Sequence, residues 1–321
     1  MRRGNISSWN KISPQAILFA VLILLSLGLS VHSPFFFKWD NLRNVLDQST
    51  LNIIFGTGMT LVIVSGGIDL SVGAEAALAG IIMAIALHAG MGVTPAIVAG
   101  LATGLLFGLL NGSCIALLRL NPFIVTLASM SIIRGLTLIL TGSIPISGFS
   151  EDFLWFGSGN AGPLPTTAVI AAVIALLGAV VLNWTKLGYY STALGGNEEA
   201  LRRSGVSTAT YKIALYILCG FTAAVAGLVM TARLNSADPT AGYMMEMDAI
   251  ATAVLGGTSM RGGAGSIGGM VIAGLLLAVL RNGLVMHGIA SYYQQLLTGL
   301  IILIAIFASE MRSRSRDGLS I

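Results

Sequence analysis

The sequence predicts an all-α, polytopic membrane protein of about ten transmembrane helices, some short or broken, with the N- and C-termini cytoplasmic. Three observations carry this reading. Of 321 residues, 55% are hydrophobic and only 9% are charged, against roughly 25% charged in a soluble domain. The apolar residues gather in runs that show no sustained alternation of the kind a half-buried strand requires. The 40 glycines sit inside those runs, where small residues let membrane helices approach closely.

The first run, 16–31, follows Arg2, Arg3 and Lys11. Those flanks suit a signal peptide, but Ser-Leu-Gly-Leu-Ser-Val-His-Ser-Pro offers no convincing cleavage site, so the run is read as a first span. Further spans are expected at about 51–65, 74–90, 96–118, 123–141, 166–184, 213–232, 248–260, 266–285 and 291–309, all within a single transmembrane domain, 1–321. Two of them, 51–65 and 248–260, fall short of the ~20 residues a straight helix needs to cross the ~30 Å hydrocarbon core. They are read as broken or re-entrant segments, which are tolerated only under a cover of protein or in a wet cavity and hint at a transport path.

Threading from a cytoplasmic N-terminus puts Arg119, Lys186, Arg202, Arg203, Lys212, Arg261, Arg312, Arg314 and Arg316 on the inner side with Arg2, Arg3 and Lys11. Lys38, Arg43 and Arg233 fall outside. The skew follows the positive-inside rule for an even number of spans. The net charge of +4 is spread through connections and forms no nucleic-acid-binding face. An outer loop at 142–165 carries Glu151, Asp152 and Trp155, and an inner loop at 185–212 is the longest cytoplasmic connection. Segments 58–80 and 248–274 share a weak likeness: an apolar run, a Gly-Gly pair, a polar turn and a small-residue helix.

No catalytic or metal-binding set emerges. Cys114 and Cys219 lie in apolar segments without partners at ligand spacing, and His32, His88 and His287 fall near span ends. The stretch Gly256–Gly269 lacks the Gly-Lys-Ser/Thr ending of a phosphate-binding loop and reads as a tight inner turn. The chain itself is therefore expected to hold no cofactor.

Polar residues at membrane depth are the informative ones, because an ionisable group there costs a few kcal/mol or more without a partner. Ser65-Gly-Gly-Ile-Asp69-Leu-Ser71-Val-Gly73 joins two apolar runs, and Glu75 follows. Asp69 and Ser71 are placed to satisfy backbone donors at the next helix start. Arg134 sits inside 123–141, with Asp69, Glu75, Glu246 and Asp248 as candidate counter-ions. Asn282, Gln294 and Gln295 are further candidates, their amides suited to sugar hydroxyls or to helix-to-helix contacts. In the inner loop, Leu194-Gly195-Gly196-Asn197-Glu198-Glu199-Ala200-Leu201-Arg202-Arg203-Ser204-Gly205 specifies a short helix. Asn197 is its N-cap, Glu198 and Glu199 favour the positive end of its dipole, and Gly205 stops it.

The Glu199-Ala200 pair followed by Gly205 resembles the coupling motif of ATP-binding-cassette importer permeases. With Ser65–Gly73, Thr126–Gly135, Asp248–Ala251 with Val254–Ser259, and Asn282–Leu284 with Ser291–Gln294, the chain resembles the ribose-type sugar permeases over about 15–310. Two departures are Leu201, where the wider motif usually has Ala, and the additional acid Glu75. The resemblance implies an inner-membrane permease importing a monosaccharide, and no enzyme. It implies a cytoplasmic ATPase partner that uses ATP and Mg, a periplasmic sugar-binding protein, a second permease copy or a paralogue, and surrounding lipid. Gly196, Asn197, Glu198, Glu199, Ala200, Leu201 and Gly205 would couple to the ATPase. Asp69, Ser71, Glu75, Thr126, Arg134, Asp248, Asn282 and Gln294 would belong to the pathway or its gate. The competing expectation is an ion-coupled secondary transporter using the intramembrane carboxylates.

Overall fold

The computed structural model describes residues 14–290 and isolated positions between 293 and 307. The chain is a helical membrane protein. Its helices are α1 (Pro14–His32), α2 (Trp39–Val64), α3 (Val72–His88), α4 (Val93–Leu117), α5 (Pro122–Thr141), α6 (Glu151–Ser158), α7 (Thr166–Trp184), α8 (Lys186–Arg203), α9 (Thr208–Leu234), α10 (Met245–Leu255) and α11 (Ile267–Met286). Among the described residues, six helices are long and apolar enough to cross a membrane: α1, α4, α5, α7, α9 and α11. The run at 291–309 falls largely outside the described residues, as does Gln294.

One expectation is corrected. The segment 51–65 is no short or broken span, because α2 begins at Trp39 and runs for 26 residues. Its first turns carry Asp40, Arg43 and Asp47, which hide the helix from an apolar count. Helix α10, by contrast, has 11 residues, about 16 Å at 1.5 Å per residue and so about half the hydrocarbon core.

Helix α9 forms the centre, with α2, α3 and α4 packed around it. The core of α2 and α9 is buried all round: Ile54, Met59, Val62, Cys219, Ala223 and Val229 are inaccessible. Helix α4 reaches α9 through glycines four residues apart, on one face. At Gly104 an added Cβ would collide with the Gly220 carbonyl of α9, and at Gly108 with the Tyr216 carbonyl. Backbone contact of this kind replaces the hydrophobic drive that lipid removes. The outward faces of α4 and α5 stay apolar and exposed, as at Leu106, Ile124 and Ile139.

The bundle has two distinct ends. At one end the start of α1 meets the start of α11, with Gln15 Nε2 donating to Ser266 Oγ at 2.7 Å. The end of α2 lies there too, its Val64 carbonyl accepting from Gly263 N at 2.8 Å. Arg119, Lys186, Arg202, Arg203, Lys212 and Arg261 flank this end. At the other end, strand β1 (Ile146–Ser147) pairs antiparallel with β4 (Ser236–Ala237), and β2 (Asn160–Ala161) with β3 (Leu164–Pro165). There Phe149 stacks edge-on against His88 and Phe153, and the helix ends at His32 and His287 lie side by side.

Candidate functional site

The α2–α3 connection folds inward. Gly66, with φ +80°, lets the chain turn directly after α2, and Tyr216 Oη of α9 anchors the turn by donating to the Ile68 carbonyl at 3.0 Å. Asp69, Ser71 and Glu75 are then carried into the interior, all three inaccessible. Asp69 Oδ1 accepts from Ser71 N at 2.9 Å, closing a local turn at the start of α3. Ser71 Oγ lies 2.5 Å from Asp69 Oδ1 and 2.8 Å from Glu75 Oε1. Asn111 of α4 donates to Ser71 Oγ at 2.9 Å and reaches Glu75 Oε1 at 3.3 Å. Asp69 Oδ2 and Glu75 Oε2 are buried with no hydrogen-bond partner among the described residues. Asn111 had no place among the expected site residues; its signal was a lone amide in the Gly-spaced run 96–118.

Among the described residues Arg134 makes no close ion pair with the carboxylates expected of it, and of those only Glu246 acts on it, through charge rather than a hydrogen bond. After β4 the chain runs as irregular backbone over residues 238–244 before α10 begins, and its carbonyls lack the partners a helix would give them. Arg134 Nη1 donates to the Ala241 carbonyl at 2.5 Å and to the Pro239 carbonyl at 3.2 Å. Thr137, one turn along α5, adds a bond to Pro239 O at 3.1 Å. Glu246 and Asp238 supply the negative charge nearby. The guanidinium thus substitutes for a missing helix ladder and fixes the segment that leads into α10.

Asp248 is paired with Arg281 of α11, Nη2 lying 2.8 and 2.9 Å from its two carboxylate oxygens. Arg281 escaped the sequence reading, although a cation at the end of an apolar run was its signal. Asn282 exchanges amide bonds with Asn41 of α2, at 2.9 and 3.1 Å, so its side chain joins helices. Thr126 is inaccessible and donates to its own helix at Pro122 O, at 2.8 Å. Among the expected pathway residues, the structure brings together Asp69, Ser71 and Glu75, and leaves Thr126, Arg134, Asp248 and Asn282 in separate contacts.

The inner loop is helical over more of its length than expected, since α8 begins at Lys186. Its regularity breaks at Asn197 (φ −161°, ψ 96°), which divides an inner half from a short outer half. Asn197 Oδ1 accepts from Ala200 N at 2.9 Å, the N-cap geometry. Gly205, with φ +83°, follows the helix end. Glu199 pairs with Arg203, and Glu198 with Lys212 at 2.6 Å, both pairs reaching solvent. Just before the kink, Gly195 sits against the Val64 carbonyl and Gly263 N, and Gly262 against Gly195 and Gly66. Three backbones therefore meet where a side chain would part them. A cleft of about 530 Å³ beside the outer half is lined by Arg119, Glu199 and Arg202. It shares Ile115, Pro122, Glu198 and Lys212 with a smaller cavity of about 160 Å³ that reaches Gly67 and Tyr216.

Residues 41–306 match the family described as branched-chain amino acid transport system / permease component. The chain is 42% identical to the ribose import permease protein RbsC of Escherichia coli (strain K12), over 97% of each sequence. It is 40% identical to the protein of the same name in Bacillus subtilis (strain 168), over 92% of each. It is 33% identical to the D-allose transport system permease protein AlsC of Escherichia coli (strain K12), over 95% of this chain and 93% of that one.

Proposed function

The chain belongs to this family of transport-system permease components, and from that premise we propose that it is the membrane subunit of an ATP-driven, binding-protein-dependent importer of a monosaccharide, ribose first among the candidates. It is a transport subunit of the inner membrane, and hydrolysis of ATP with Mg belongs to a cytoplasmic ATPase partner. A periplasmic binding protein delivers the sugar, and a second copy of this chain or a paralogue completes the pathway within the lipid. The end of the bundle rich in Arg and Lys faces the cytoplasm, with both termini on that side and about ten spans in all. The outer half of α8, Glu198–Arg203, enters a groove of the ATPase, and Gly196, Asn197, Leu201 and Gly205 set its angle and its apolar contact.

The observation that supports this reading best is the capped, solvent-exposed helix carrying Glu199 and Ala200 before Gly205, joined to the bundle through the kink at Asn197 and the Glu198–Lys212 pair with α9. Closure of the ATPase would then act mechanically on α2 and on the α10–α11 turn through the three-glycine contact. The test replaces Glu199, Ala200 and Gly205 together by bulky residues. Transport and substrate-stimulated ATPase activity are expected to disappear while membrane insertion persists. Normal coupled ATPase activity in that variant would refute the assignment.

A further inference from the structure

The Asp69–Ser71–Glu75 contact holds more oxygen neighbours than the hydrogens usually drawn on it can serve. Ser71 Oγ has two carboxylate oxygens beside it, Asp69 Oδ1 at 2.5 Å and Glu75 Oε1 at 2.8 Å, and one amide nitrogen, Asn111 Nδ2 at 2.9 Å. A hydroxyl brings one hydrogen and accepts up to two others. Asn111 supplies one of those accepted. The serine hydrogen can go to only one carboxylate, so the other carboxyl must bring a hydrogen of its own.

The remaining contacts decide which. Asp69 Oδ1 accepts the Ser71 backbone N–H at 2.9 Å, closer than the 3.3 Å from Asn111 Nδ2 to Glu75 Oε1, and the better-served acceptor is the ionised one. We propose that Asp69 and Glu75 together form a binding site for one proton, resident on Glu75 Oε1 and donated to Ser71 Oγ, whose own hydrogen passes to Asp69. The site links the α2–α3 turn, α3 and α4 by a directed chain of hydrogen bonds, Glu75 to Ser71 to Asp69, with Asn111 alongside. Glu75 Oε2, beside Gly220 of α9, and Asp69 Oδ2 are both buried without a donor among the described residues, so one proton shared by the pair relieves a site that cannot solvate two charges.

Among the described residues, the surrounding elements supply no cation to the pair. On α9, Tyr216 is spent on the Ile68 carbonyl, Cys219 is a buried thiol and Lys212 pairs with Glu198. On α5, Arg134 serves Pro239 and Ala241. On α10, Glu246 stands against Gly73, and Asp248 is held by Arg281. Among the described residues no Lys, Arg or His lies within ion-pair distance of Asp69 or Glu75, and two ionised carboxylates sharing a dry site without compensation repel each other.

Infrared spectroscopy of the purified full chain in lipid reads the proton directly, through the C=O stretch of a protonated carboxylic acid and its shift in D₂O. One acid band is expected in the wild type, lost in Glu75→Gln, whose amide can donate the same hydrogen bond, and retained in Asp69→Asn. Ser71→Ala removes the acceptor and should move the band to higher frequency, a readout that stands even if Glu75→Gln does not fold. A band that survives Glu75→Gln, or that ignores Ser71→Ala, overturns the proposal. So does a wild-type spectrum without the band, or one in which it appears only after sodium is withdrawn, which would make a metal cation the ligand.

Discussion

Two pairs of acids sit at opposite extremes of this molecule. Asp69 and Glu75 are wholly enclosed and are held by a hydroxyl and an amide, whereas Glu198 and Glu199 stand in solvent and are held by Lys212 and Arg203. The difference lies in what each pair can lose. An enclosed pair leaves unsatisfied donors when it is removed, at about 1–3 kcal/mol for each buried group. An exposed ion pair gives back to water nearly all that it gained. Rigid structure is therefore concentrated at the α2–α3 connection, and the surface pair is free to serve contacts with something else.

The contrast can be broken by substitution. Asp69→Leu should have the largest effect, because it strands the buried Ser71 N–H and leaves the Ser71 hydroxyl with Glu75 as its one carboxylate neighbour. A loss of about 3 kcal/mol or more is expected, seen as little monodisperse protein on size exclusion. Arg134→Met comes next: the carbonyls of Pro239 and Ala241 lose their donor, at about 2 kcal/mol in the unfolding midpoint, with Arg134→Lys recovering part of it. A double-mutant cycle on Asp248 and Arg281 should show a coupling of about 1 kcal/mol, since Arg281 is partly reached by solvent. Glu199→Gln should shift stability by less than about 0.5 kcal/mol yet lower substrate-stimulated ATPase activity in the assembled importer. If Glu199→Gln unfolds the chain as Asp69→Leu does, the contrast is wrong.

Composition and apolar run length made the helical membrane class legible, along with the places of most described helices, because burial in lipid demands unbroken apolar sequence. The start of α2 was obscured because its first turns carry Asp40, Arg43 and Asp47, at the end of the bundle that bears the short strands. The cap at Asn197 and the stop at Gly205 were readable because capping is local chemistry. The hydrogen-bond acceptors of Arg134 were not. Pairing rules direct attention to acids, but the groups in need were main-chain carbonyls, and irregular backbone leaves no periodic trace. Asn111 shows the same limit: it is an ordinary residue in its own segment and acquires its role only when α3 and α4 meet.

The contact among Gly66, Gly195 and Gly262 also bears on how the chain is made. Its three participants belong to the first, middle and last thirds of the sequence, so the ribosome has released most of the protein before the junction can close. Until then, the turn carrying Asp69 and Ser71 has no cover from Gly262, and α10 has no turn to lean on. Biogenesis should therefore pass through an inserted but open intermediate whose hydrophobic spans are in place while its inner face is still accessible, the stage at which membrane quality-control proteases would recognise an incomplete chain.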